Sequence, residues 1–224
     1  MASIGGVDDV QAGMGGRTAG NAGADRFTRL GIIVTVLVVV AGAAAQLIDY
    51  AFFGQRIRAL DSASGGGVFG VIGDFAVAAA AVSAWLLAVR VRPARWVAAL
   101  AALLTFLAAD RVTGLHEHIS HWLAFYLPVL LASFVGLAAV ARGPSGRLRF
   151  GFYRGIRRPV AARLIGVGLA LLAFSFLLHV AGQRLMLELG VNSEGLAYQI
   201  KVVAKHGAEV AGWLLITLGL LRSG

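Results

Sequence analysis

No cysteine occurs among the 224 residues of this chain. Disulfides, thiolate metal ligands and cysteine nucleophiles are therefore excluded in any compartment. Charge is also scarce, at 14% of residues against 58% hydrophobic, with a mean hydropathy of +0.80. A soluble domain carries about 25% charged residues. Lysine is almost missing: of the 20 basic residues only Lys201 and Lys205 are lysines, and both lie in the last apolar segment.

What is present instead is a series of apolar runs, each long enough to cross a hydrocarbon core of about 30 Å. They lack the polar stripe that a soluble amphipathic helix shows every turn. The expected fold is all-α, a polytopic membrane protein of six transmembrane helices in a tight bundle. The expected spans are 30–50, 68–89, 96–115, 122–141, 163–185 and 197–221. Residues 1–29 are Gly- and Ala-rich and polar, without apolar periodicity, and read as a disordered cytoplasmic tail before the 30–224 transmembrane domain. The first apolar run reads as a retained span because no small-residue cleavage site follows it.

Net charge is +9, yet its distribution argues against nucleic acid. Arg90, Arg92 and Arg95 fill the second loop. Arg142, Arg147, Arg149, Arg154, Arg157 and Arg158 fill the fourth. Loops rich in arginine stay on the cytoplasmic side, so the even loops and both termini are expected inside, in a plasma (inner) membrane of bacterial type. Phe150, Phe152 and Tyr153 interleave the basic fourth loop, which suits contact with anionic lipid headgroups at about 1 kcal/mol per basic residue. Gly and Ala recur in the apolar runs, as at 41–45, 76–81, 166 and 168, so close helix contacts are expected, with a homo-oligomer or a partner membrane subunit as further possibilities.

Ionisable residues inside the runs gather toward the outer face. Asp49, Asp74, Asp110, His179, Lys201, Lys205, His206 and Glu209 all sit in outer portions of their spans, and the third span leads into His116-Glu117-His118-Ile119-Ser120-His121. An ionised side chain in hydrocarbon costs about 2.5–3.5 kcal/mol on insertion scales, and such groups face a partner or a cavity. If the third helix continues to residue 121, then Asp110, Gly114, Glu117 and His121 share one stripe. Lys201, Lys205, Ala208 and Gly212 make another, with Glu209 beside it. Ser175, His179 and Gly182 align on the fifth helix, and Gly42, Gln46 and Asp49 on the first.

Four readings compete for this cluster. In the plainest, the charges neutralise one another, with Lys205 as partner of Glu209, while Trp122 and Tyr126 are interfacial belt residues. In the second, Asp110, Glu117, His121, His179, His206 and Glu209 hold a divalent metal or a small ligand. Zinc, iron or manganese suits such a set, and in an enzyme the metal would activate water for intramembrane hydrolysis. His116-Glu117 lacks the second histidine of a zinc-protease pattern, since Ser120 stands there. In the third, the cluster serves a proton- or cation-coupled carrier, although the apolar inner half offers few stepping groups. In the fourth, His121 and His179 ligate haem, or a helix-six lysine binds retinal with Asp110 as counter-ion, but six spans are too few and two lysines compete. A non-catalytic scaffold remains the contrasting class. Gly143-Pro144-Ser145-Gly146 and Gly65-Gly66-Gly67 read as turns and loops without phosphate-binding context.

The cysteine-free background makes topology directly testable. A membrane-impermeant maleimide applied to intact cells should label Ser64→Cys in the first loop. Ser145→Cys in the fourth loop should label only after permeabilisation, and the reverse pattern would invert the orientation.

Overall fold

The computed structural model describes residues 8–54, 57, 59–60, 67–91, 95–115, 122–142, 159–188, 190 and 195–223. The described residues are almost wholly helical, in six α-helices: α1 (Asp8–Ile48), α2 (Val68–Arg90), α3 (Arg95–Thr113), α4 (Trp122–Arg142), α5 (Pro159–Glu188) and α6 (Leu196–Ser223). A π-helical turn, Asp49–Phe53, continues α1 and ends at Gly54 in the left-handed region (φ 59°). Two compact units are distinguished, Met1–Val34 and Thr35–Gly224. In the first, α1 already begins at Asp8, within the stretch expected as an irregular tail. That stretch has no proline, and its alanines favour helix enough to offset its glycines in part.

Four helical stretches are long and apolar enough to cross a membrane: Asp25–Phe53, Val68–Arg90, Arg95–Thr113 and Pro159–Met186. Their length and composition are compatible with a membrane protein. The other two of the six expected spans are less plain. Only Tyr126–Ala141 of α4 makes an apolar helix by the same measure, and α6 is diluted by Lys201, Lys205, His206, Glu209 and Arg222. Large apolar side chains point away from the protein, among them Val71, Phe75, Val82 and Val89 of α2 and Val167, Phe174 and Leu177 of α5. Such an outer surface suits lipid, since an aqueous surface rarely exposes contiguous apolar area on this scale.

Within the second unit, specific contacts fix the register of neighbouring helices. Trp85 Nε1 donates to Thr105 Oγ1 at 3.1 Å, and Asp74 pairs with Arg111, so α2 and α3 are antiparallel. Leu100 lies under Gly136 while Tyr126 reaches Asp110, so α3 and α4 are antiparallel too. On α5 and α6, Gly168 meets Gly212 and Ile216 whereas Gly182 meets Lys201, again antiparallel. Phe69 stacks on His206 and Asp74 shares Arg111 with Glu209, which sets α2 parallel to α6. Val39 against Gly207 and Gln46 against Gln199 set α1 antiparallel to α6.

Chain direction thus alternates from α1 to α6, and the bundle has two unlike ends. At the end where α2 stops and α3 starts, Ala80, Ala84, Leu87, Val97, Leu100, Leu104, Leu137, Ile216 and Leu220 form a continuous apolar core. Ala76, Ala80 and Ala84 recur every four residues and present a flat face to α2's neighbours. At the other end lie Asp49, Asp74, Asp110, Arg111, Lys201, Lys205, His206 and Glu209.

Helix α3 ends sooner than one of the expectations above needs. Gly114 is left-handed (φ 63°), and its N–H donates to Asp110 O at 2.7 Å. This is the usual glycine stop, because a glycine adopts that conformation without a Cβ clash. The stripe running from Asp110 through Gly114 to Glu117 and His121 is therefore not continued as helix. Residues 117 and 121 lie outside the described residues.

The tightest helix contact is glycine-dependent. A Cβ at Gly168 would stand 2.7 Å from Gly212 O, and one at Gly219 would stand 2.5 Å from Ile165 Cγ1. Gly168→Val should force α5 and α6 apart and cost about 1–3 kcal/mol, the usual range for overpacking. Gly166→Ala, at a position with open space around it, should be neutral. Thermal unfolding of the detergent-solubilised protein followed by tryptophan fluorescence separates the two.

Candidate functional site

The polar end is organised by Arg111, in the last turn of α3. Asp110 and Arg111 are adjacent, so on a helix their side chains diverge by about 100° and meet different neighbours. Asp110 is buried and turns to α4, where Tyr126 Oη donates to Asp110 Oδ2 at 2.6 Å. Tyr126, expected at the membrane interface, instead has its hydroxyl engaged inside the bundle. Arg111 turns to α2 and α6. Its Nε donates to Asp74 Oδ1 at 2.6 Å and its Nη1 donates to Glu209 Oε1.

The room for this guanidinium comes from Gly73. A Cβ there would lie 2.5 Å from Arg111 Nη2, inside contact distance. Glycine beside Asp74 therefore serves a packing purpose: it lets an arginine from the next helix lie flat against α2. The planar fork of arginine suits two carboxylates at once in a way that a lysine ammonium does not.

On α6, His206 stands one turn before Glu209, with Nδ1 3.7 Å from Glu209 Oε2, beyond hydrogen-bond range. Its ring stacks on Phe69 at 6.4 Å between centroids. Lys205 lies within electrostatic reach of Glu209 and Arg111, and His179 of α5 within reach of His206. Lys201 sits over the Tyr198 ring at 4.9 Å and against Gly182 of α5. The network is not sealed: the side chains of Arg111, Asp74 and Glu209 stay 23%, 31% and 19% exposed.

Of the six residues expected to form the site, the structure brings His179, His206 and Glu209 toward one region. Asp110 is close in sequence to that region but is engaged with Tyr126. Glu117 and His121 lie outside the described residues, as do Arg147, Arg149, Arg154, Arg157 and Arg158 of the expected lipid-facing loop. Among the described residues, no group of three or more His, Asp or Glu side chains is placed to hold a metal ion. Sequence reading missed Arg111 as the hub and Gly73 as its seat. One signal was available: an arginine next to Asp110, still inside an apolar run, belongs to no topogenic loop and needs carboxylate partners.

Removing the hub leaves two carboxylates facing each other. Truncating one partner of a buried pair costs about 3–5 kcal/mol, and partial exposure of these side chains lowers the figure. Arg111→Met should therefore lower the thermal midpoint clearly. Adding Asp74→Asn and Glu209→Gln should restore much of the loss, since the uncompensated charge is gone. An additive, unrecovered triple variant would show that Arg111 acts through packing alone. Gly73→Ala should weaken the same network by displacing the guanidinium.

Comparison with known proteins places the chain by family alone. No curated protein and no solved structure matches it. A family model described as a domain of unknown function, DUF8692, matches residues 31–223, which include α2 to α6 and the whole Asp74–Arg111–Glu209 network. With that match covering most of its length, the chain belongs to the DUF8692 family.

Proposed function

We propose that this protein is a multi-pass protein of a bacterial-type plasma membrane that binds a small cationic ligand in the outer half of its bundle. The observation that carries the reading is the Asp74–Arg111–Glu209 network, partly exposed and placed at one end of the bundle above a dry apolar core. A network serving only to neutralise charge needs no opening, whereas Arg111, Asp74 and Glu209 keep 23%, 31% and 19% of their side chains exposed.

In this reading, Glu209 and His206 offer the ligand a carboxylate and a ring nitrogen, Asp74 supplies further negative charge, and Arg111 holds the carboxylates in place. A ligand amine or a metal ion would compete with Arg111 for Glu209. The metal version, with zinc, iron or manganese as the ion, needs groups beyond those that now approach Glu209. For that reason the organic-cation version is preferred. Apolar packing of the opposite end supports binding from one side over a continuous conducting path.

Ligand-dependent thermal shifts on the purified, full-length protein test the proposal. A panel of small amines and divalent metals should contain at least one compound that raises the midpoint saturably, by the usual linkage of binding to stability. Glu209→Gln should abolish that response. If no cation shifts the wild type and a second membrane subunit co-purifies instead, the scaffold reading replaces this one. If uptake into vesicles follows a proton gradient and fails in Asp110→Asn, the site belongs to a carrier.

A further inference from the structure

A second polar position lies on α1, away from Arg111. The stripe Gly42, Gln46 and Asp49 faces the other helices: Gly42 abuts Phe69 of α2, and Gln46 Nε2 donates to Gln199 Oε1 of α6 at 2.7 Å. Gln46 and Gln199 are buried, and Asp49 is 0% exposed. At Asp49 the winding changes from α to π, and π turns concentrate at functional positions. Asp49 Oδ1 accepts from the Ile57 N–H at 3.1 Å, but Oδ2 is buried with no hydrogen-bond partner among the described residues.

That oxygen is costly in either protonation state. Ionised, it is an uncompensated charge at the C-terminal end of a helix, where the helix dipole is itself negative and no basic residue occupies the last turn. Protonated, it is a buried hydroxyl donor with no acceptor. A monovalent cation relieves both problems. One carboxylate matches one positive charge, and the last carbonyls of a helix lack intrahelical partners and provide hard oxygen ligands. Interrupted membrane helices hold sodium in this manner, with carbonyls at a helix C-terminal end. We propose that Asp49 and the carbonyl end of the π turn that closes α1 form an alkali-cation site, with sodium as the ligand, separate from the Arg111 network.

Sodium and choline chloride at equal ionic strength distinguish specific binding from screening. The full-length protein in detergent should show a saturable rise in thermal midpoint of about 2–4 °C in sodium over choline. Asp49→Asn should lose the rise, whereas Glu209→Gln should keep it. A second readout uses the wild type alone: an apolar carbodiimide should modify Asp49, and sodium should reduce that modification several-fold while choline does not, as read by peptide mass mapping. Equal midpoints in the two salts, a sodium rise that survives Asp49→Asn, or carbodiimide labelling of Asp49 unaffected by sodium would each overturn the site. Loss of the sodium response in Glu209→Gln would overturn its separateness from the Arg111 network.

Discussion

The ion pairs at the polar end depend on one arginine that serves two helices. Arg111 takes a carboxylate from α2 and a carboxylate from α6, so three helices share one cationic centre. In a low-dielectric setting each of those acids would otherwise need its own partner. The arrangement also explains local sequence choices that have no other reason. Gly73 is small because the guanidinium occupies the volume of its missing side chain. Asp110, next to Arg111, cannot share that centre, because helical geometry turns it to α4, where Tyr126 supplies its hydrogen bond.

The opposite end of the bundle obeys a different constraint. Lipid gives no hydrophobic reward for bringing apolar helices together, so close van der Waals packing must hold them. Alanine at 76, 80 and 84 on α2, and glycine at 168, 212 and 219 between α5 and α6, allow backbones to approach at that end. The two ends are thus stabilised by different physics, dispersion at one and ion pairing at the other. A ligand that exchanges with Arg111 at Glu209 would disturb the second kind of contact and leave the first intact. That separation lets a membrane bundle carry an exchangeable polar site without losing its packing.

Much of this was legible in the sequence because it rests on periodicity and length. Apolar runs predict helices whose ends fall within two residues of the observed α2, α3, α4 and α6, and the one-sided placement of ionisable residues follows from the same runs. What escaped was pairing. Helical spacing tells which residues share a face, but not which face meets which helix, so Lys205 beside Glu209 is legible while the hydrogen bond from Arg111 to Glu209 is not. The end of α3 is set locally: Gly114 takes a left-handed conformation and stops the helix, an outcome that a helical-wheel argument cannot contain. The alignment of Gly42 and Gln46 toward the other helices holds because α1 runs unbroken through both and changes its winding only at Asp49.

That contrast bears on how α1 differs from the other helices. Its contacts with α6 are a buried amide pair and a valine on a glycine, Val39 at Gly207, with Phe69 of α2 filling the notch at Gly42. An amide pair is directional and neutral, so it sets register without demanding the charge compensation that Arg111 supplies. Phe69 touches both α1 and the His206 ring, which makes it the physical link between the amide pair and the ion network. A shift of His206 as Glu209 changes partner would press on Phe69 and hence on α1 at Gly42. Any coupling between Asp49 and the Arg111 centre must run through that aromatic contact or through the backbone of α6, which carries both Gln199 and Glu209. Phe69 is therefore the residue at which the aromatic route between the two positions can be cut without removing a charge from either.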